Sequence, residues 1–217
     1  RGTQADAWHY ICLDRGHGIV YTIPNFDGRT DPGQRRVNWG IYAPPPPELD
    51  FSEPTSIPPG EVTNEHYTHL DALVTSGFPP DYEAVIRASL LEEVSIQPIY
   101  DDLADSYVHG RVMLIGDAGS VTRPHTGSGA TKAIQDALCL ARLGQEHKEW
   151  PDLLSAYVAE RTAAGISLVQ LGRRLGRDLV EHTPHWGTMT TNDFEAWTNR
   201  TLSGERLYLY GNTTGPR

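Results

Sequence analysis

Lysine is nearly missing from this chain of 217 residues; it occurs only at Lys132 and Lys148. With 18 Lys and Arg against 28 Asp and Glu, the formal charge is −10. Such an excess argues against nucleic acid or an anionic membrane as partner, because both select a basic face. No apolar run approaches the roughly 18 residues that a membrane-spanning helix needs. Cysteine is equally scarce. Cys12 and Cys139 lie far apart and match no metal-ligand spacing, so no metal site is expected. Two buried free thiols in a reducing cytoplasm is the expected state, with a disulfide the alternative. No G-x-G-x-x-G stands behind a strand-like run, so a complete dinucleotide-binding βαβ unit is not in these residues. The opening "RGTQADAWHY" has neither Met nor an apolar signal centre, and reads as part of something longer or processed.

What is present suffices for a core: 38% of residues are hydrophobic, and the length falls between one domain and two. Residues 8–23 read as two strands of a hairpin turning over Asp14 to Gly18, which leaves His17 exposed. "RRVNWGIYA" (35–43) adds a third strand, closed by Pro44 to Pro47, since prolines donate nothing to a ladder. Helical spacing follows, with Thr63 as N-cap, Tyr67, Leu70, Leu73 and Val74 on one face, and Gly77 as the stop. Pro79-Pro80 opens a second helix carrying Tyr82, Val85, Ile86 and Leu90. Trp150-Pro151 starts a long helix with Leu154, Tyr157, Val158, Leu168, Leu171, Leu175 and Leu179 as its apolar stripe. Arg173, Arg174 and Arg177 fall on its solvated side. The tail from Glu181 carries no regular pattern.

One stretch combines three unlike pieces: "HGRVMLIGDAGSVTRPHTGSGATKAIQDALCLARLG" (109–144). Val112 to Ile115 is apolar on both faces, as a buried parallel strand would be. Gly116 allows a sharp turn at its carboxyl end, where open α/β sheets bind ligands. Asp117 offers a carboxylate to hydroxyl donors, and Pro124 stiffens the loop. Gly127 and Gly129 leave backbone bare against a flat ligand. The helix that follows, from about Ala130 to Leu143, points its free N–H groups and positive dipole end at the same place. Such a site stabilises negative charge on a ring. Taken singly, Gly116-Asp117 is a turn and the glycines are packing residues.

Taken whole, the string resembles the second flavin motif of the single-component FAD-dependent aromatic hydroxylases. It is the group that includes para-hydroxybenzoate hydroxylase. The motif residues are Gly116-Asp117-Ala118, Pro124, Gly127-Ser128-Gly129 and Asp136-Ala137. "VHGRVMLIGDA", "RPH" and "DRGHGIVYTIP" are most similar to the 2,6-dihydroxypyridine 3-hydroxylase branch. The resemblance departs at Ser120 and Thr131, where the family often has His and Asn. It implies an α+β and α/β fold. An antiparallel substrate-domain sheet (1–106) precedes the C-terminal part of a Rossmann-like FAD-binding domain (107–149) and a long C-terminal helix with its tail (150–217). It implies an FAD-binding first half outside these residues, in cis or in trans, without which the chain binds FAD poorly. A homodimer and a cytoplasmic location are compatible with it.

The resemblance also assigns roles. Gly116, Asp117, Pro124, Gly127, Ser128, Gly129, Ala130 and Thr131 would bind FAD, with Asp117 at the ribityl chain. Pro124 would face the substrate, with Tyr21 and Trp39 on the sheet lining it; aromatic residues on a sheet are also plain core. NADH or NADPH would reduce FAD, and O₂ would then oxygenate a small electron-rich aromatic ring. His125 is the expected base for a phenolic proton, or else a surface histidine. Arg123 would attract an anionic group or remain solvated. Two alternatives stand beside this reading. One is a flavoprotein of the same fold with oxidase, dehydrogenase or halogenase chemistry. The other is a truncated, non-catalytic binding module.

Overall fold

A computed structural model of the chain describes residues 7–46, 49 and 55–202. They form two compact units, the described residues of Arg1–Pro98 with Asp178–Met189, and those of Ile99–Arg177 with Thr190–Arg217.

The first unit is built on an antiparallel sheet, β1 (His9–Leu13), β2 (Gly16–Ile23) and β3 (Arg36–Tyr42), in that order. Side chains alternate between its faces. Ile11, Leu13 and Val20 point to one face and pack with Val74 and Phe78 and with Ile86. Those partners come from α1 (Asn64–Gly77) and α2 (Pro80–Arg87), with Phe78 just past the end of α1. Thr63 caps α1 as the sequence predicts, with the His66 ring closing the capping box. Gly18 is required here, since a Cβ would stand 2.5 Å from the Phe78 ring. One detail differs from expectation: Leu90 lies beyond the end of α2 and is exposed.

His17 is the larger difference. The turn is only Asp14-Arg15, so β2 begins at Gly16 and His17 belongs to the ladder, opposite Cys12 and Tyr42. It is 1% exposed, stacked between Tyr10 (4.8 Å) and Tyr42 (4.6 Å). This stack occupies the face opposite the helices.

The second unit has short strands only. β4 (Asp102–Leu103) pairs with β7 (Ser120–Val121), and β5 (Val108–His109) with β6 (Val112–Met113), both antiparallel. The buried parallel strand expected over Val112 to Ile115 is therefore corrected. Val112 and Ile115 are exposed, because no parallel neighbour exists for them among the described residues. Two helices hold the unit together, α3 (Gly129–Glu146) and α4 (Trp150–Gly176), the latter running on as a π-turn over Arg177–Glu181. Tyr107, Cys139, Leu143, Leu153, Leu154 and Tyr157 form their core. The stripe Leu154, Tyr157, Leu168, Leu171, Leu175 and Leu179 is buried as expected. The tail is not without structure. Thr190 caps an eleven-residue helix, α5 (Thr191–Thr201), through a capping box with Asp193, a signal carried by Asp where Glu is usual. The expectation for the last residues, 203–217, falls outside the described residues.

Glycines on α4 let other backbone approach it. A Cβ on Gly165 would lie 2.1 Å from the Tyr107 hydroxyl, itself bonded to Ser120 at 2.7 Å. Gly165→Ala gains helix propensity of about 1 kcal/mol but overpacks a rigid buried ring, at about 1–3 kcal/mol. We expect a net loss in urea denaturation, partly recovered in the double variant Tyr107→Phe/Gly165→Ala.

Candidate functional site

The stretch from Gly116 to Thr131 divides into pinned backbone and open backbone. Gly116 takes φ +57°, the left-handed region, and a Cβ there would press on Ala133 of α3 at 3.1 Å. Its N–H donates to Asp136 Oδ2 at 2.8 Å, and its carbonyl accepts from Lys132 Nζ at 2.8 Å. Lys132 Nζ also binds Asp136 Oδ2 at 2.9 Å, and Arg161 Nε of α4 donates to Asp136 Oδ1 at 2.7 Å. Lys132 and Asp136 are fully buried. This cluster fixes the turn into Asp117, whose side chain is exposed at the loop surface.

The middle of the loop lies on α4. Thr122 donates to the Leu168 carbonyl at 3.1 Å. Gly172 and Gly176 of α4 make room for Thr122, Arg123 and the His125 ring. Arg123 Nε binds Asp101 Oδ2 at 2.8 Å, and Arg173 binds Asp101 Oδ1. Arg123 and Arg173 are both ion-pair partners of Asp101, because one nearly buried carboxylate recruits both. Burial raises the Asp101 pKa, but the two guanidinium groups outweigh it and hold the carboxyl below its ordinary range.

Beyond Pro124 the loop opens. Pro124–Thr126 forms a 3₁₀ turn, exposed at Pro124, and Gly127 enters the left-handed region at φ +61°. No atom lies within 4 Å of where a Cβ would stand on Gly127 or Gly129. Ser128 is buried, and its hydroxyl donates to the Thr126 carbonyl rather than capping α3. The first turn of α3 therefore keeps N–H groups that Ser128 does not satisfy, next to the exposed Ala130 and Thr131. A flat, partly anionic ligand fits this cradle: bare backbone, a helix N-terminus and a neighbouring carboxylate.

Of the remaining predicted residues, His125 is half-buried against Gly176. Tyr21 and Trp39 fall on opposite faces of the sheet. Tyr21 stacks on Trp8 at 4.5 Å on the face that carries His17. Trp39 packs into the helix-side core, and its indole N–H donates to Ser89 at 2.8 Å. On the His17 face, burial together with Tyr42 and Cys12 pushes Tyr10 up to about 12, and burial also raises Tyr42. Among the described residues no group of acidic, His or Cys side chains could hold a metal, and no helix is long and apolar enough to cross a membrane.

The site residues that lacked a sequence role are Lys132, Arg161, Asp101, the α4 glycines and His17. The i,i+4 spacing of Lys132 and Asp136 was the one available signal. Arg161 and Asp101 meet their partners across 25 residues for the first, 22 and 72 for the second, and no local pattern marks such contacts.

Comparison with known proteins agrees with this geometry. The FAD binding domain family matches residues 78–171, and an FAD binding domain-like family matches residues 3–101. The chain is 29% identical over 177 residues to the 2,6-dihydroxypyridine 3-monooxygenase of Paenarthrobacter nicotinovorans, covering 74% of this chain and 43% of that protein. It is 33% identical over 123 residues to 3-hydroxybenzoate 6-hydroxylase 1 of Aquipseudomonas alcaligenes, covering 52% of this chain and 29% of that one. The solved 2,6-dihydroxypyridine-3-hydroxylase from Arthrobacter nicotinovorans superposes with a TM-score of 0.68 at 27% identity, over 81% of this chain and 45% of that structure. The chain thus spans less than half the length of these relatives.

Asp101 gives a test of the loop's anchor. A depressed carboxylate stabilises the fold above its unfolded pKa, and that contribution is lost as pH falls through the folded value. Asp101→Asn should cost about 1–3 kcal/mol at pH 7, with the gap to the parent narrowing below about pH 4. Urea melts at both pH values check this.

Proposed function

We propose, from the premise that this chain carries the C-terminal portion of the FAD-dependent aromatic hydroxylase fold, that it forms part of an enzyme oxygenating a small phenolic or N-heteroaromatic ring. One observation carries the proposal: the loop's backbone is bare at Gly127 and Gly129, at the start of α3, within the segment that matches the FAD binding domain family. The residues fit FAD, because a side chain at either glycine would fill the space its ring needs.

FAD, when bound, supplies electron transfer from NADH or NADPH and the activation of O₂. The chain supplies the surroundings. Asp117 accepts hydrogen bonds from ribityl hydroxyls. The backbone from Gly127 to Thr131 would donate to the pyrimidine edge, where the positive end of the α3 dipole favours negative charge. Pro124 offers a stiff apolar wall to the substrate. His125 takes the phenolic proton on an imidazole nitrogen, leaving the more reactive phenolate. On the sheet, Tyr21 is the substrate-lining residue, with His17, held between Tyr10 and Tyr42, beside it on the same face. Trp39 contributes by packing.

A second, FAD-binding half completes the site, in the same chain or on another. Its support is an apolar surface on the second unit, where Val112, Ile115, Ile134 and Leu138 are all exposed. Of the other chemistries, halogenation calls for an available lysine. Lys132 is sealed in its ion cluster and Lys148 lies on the surface past the end of α3, away from the loop, which weighs against it. A cytoplasmic location fits two free cysteines.

The visible spectrum tests the reading first; flavin bands are expected when the chain is purified together with its FAD-binding half, on their own or after addition of FAD. Gly127→Val should weaken FAD binding at least about tenfold, with circular dichroism unchanged. His125→Asn should lower turnover about 10²-fold and remove the limb of the pH–rate profile that reports the base. A protein that never takes up flavin fits the non-catalytic module instead.

A further inference from the structure

We infer that Lys132 is a positioning residue for the flavin, acting through the Gly116–Asp117 peptide and through the positive charge its ammonium group buries behind it. The inference rests on the flavin reading above.

Lys132 is a costly residue where it stands. It is fully buried and sits at the fourth position of α3, where the helix dipole opposes a cation. Burying an ammonium group costs several kcal/mol before its partners offset it. Apolar packing of similar volume would serve the fold as well or better.

Its contacts are directional. Lys132 Nζ holds the Gly116 carbonyl at 2.8 Å, while Asp136 holds the Gly116 N–H at 2.8 Å, so both polar groups of the glycine turn inward. The Gly116–Asp117 peptide is trans, and a trans peptide points its C=O and N–H in opposite directions. With the carbonyl tied to Lys132, the Asp117 N–H is aimed away from the buried cluster. A glycine at φ +57° could otherwise turn this peptide over at little cost.

The cluster also carries charge. Lys132 and Arg161 both pair with Asp136, so the Lys132 ammonium adds a positive charge to a carboxylate that already has a cationic partner. Burial leaves that charge weakly screened, and the α3 dipole adds to it with the same sign. A ring that becomes anionic on reduction gains from this field, while the neutral oxidised ring does not.

The test compares the dissociation constants of oxidised and dithionite-reduced FAD under anaerobic conditions, in the parent protein, Lys132→Met and Lys132→Arg. Lys132→Met should weaken reduced FAD at least about tenfold more than oxidised FAD, and Lys132→Arg should keep the ratio within about threefold. Should Lys132→Met fail to fold, Lys132→Gln keeps a donor without the charge and reads the same ratio. Equal weakening of both forms would make Lys132 merely structural and overturn the inference. A natively folded parent that binds neither form, even with the FAD-binding half supplied, would overturn the flavin reading itself, and this inference with it.

Discussion

The Asp136 carboxylate organises the second unit. One oxygen receives the Gly116 N–H and the Lys132 ammonium, and the other receives Arg161 from α4. A turn and two helices therefore meet at a single buried anion. Such a centre is a source of order more than of net stability, since desolvating three charges offsets most of their attraction. It is also unforgiving: removing the anion would strand two cations without water. Its field reaches further, because burial and the nearby Asp136 charge raise the Tyr157 hydroxyl above its ordinary range.

Around this centre the loop is held where it must be rigid and left bare where a ligand would lie. Glycines on α4 admit Tyr107, Thr122, Arg123 and His125 to van der Waals distance of the helix backbone. Asp101 then ties Arg123 back through a nearly buried ion pair. Past Pro124 those restraints stop, and Gly127 and Gly129 face open space. A binding site works when the surrounding shell fixes the few groups that touch the ligand. Here that shell consists of charges and glycines more than of apolar bulk.

The sheet obeys a different logic. Its alternation separates a helix-covered apolar face from a face bearing Trp8, Tyr10, His17, Tyr21 and Tyr42. Large flat rings supply the area of that second face. A turn three residues shorter than expected decided the outcome for His17, because β2 begins at Gly16 and takes His17 into the ladder.

Much was legible without coordinates, and all of it was local. Strand alternation around Ile11 and Leu13, the Thr63 cap, the prolines opening α2 and α4, and the order strand, Gly-Asp, Pro, Gly-x-Gly and helix each depend on neighbours a few residues apart. That order, with the family resemblance it carries, was enough to mark a flavin loop. What escaped depended on distant partners. Asp101, Arg161 and the α4 glycines acquire meaning only when helices pack. Val112 to Ile115 looked like a buried strand because its composition says nothing of which neighbour will cover it. The sequence by itself determined the elements and the loop's chemistry, since local backbone sterics and hydrophobic period set both. Only the tertiary structure decided that Lys132 is a buried anchor, that Trp39 is core, and that His17 is sealed between tyrosines. Burial and charge pairing are properties of contacts across space, and no short window of residues contains them.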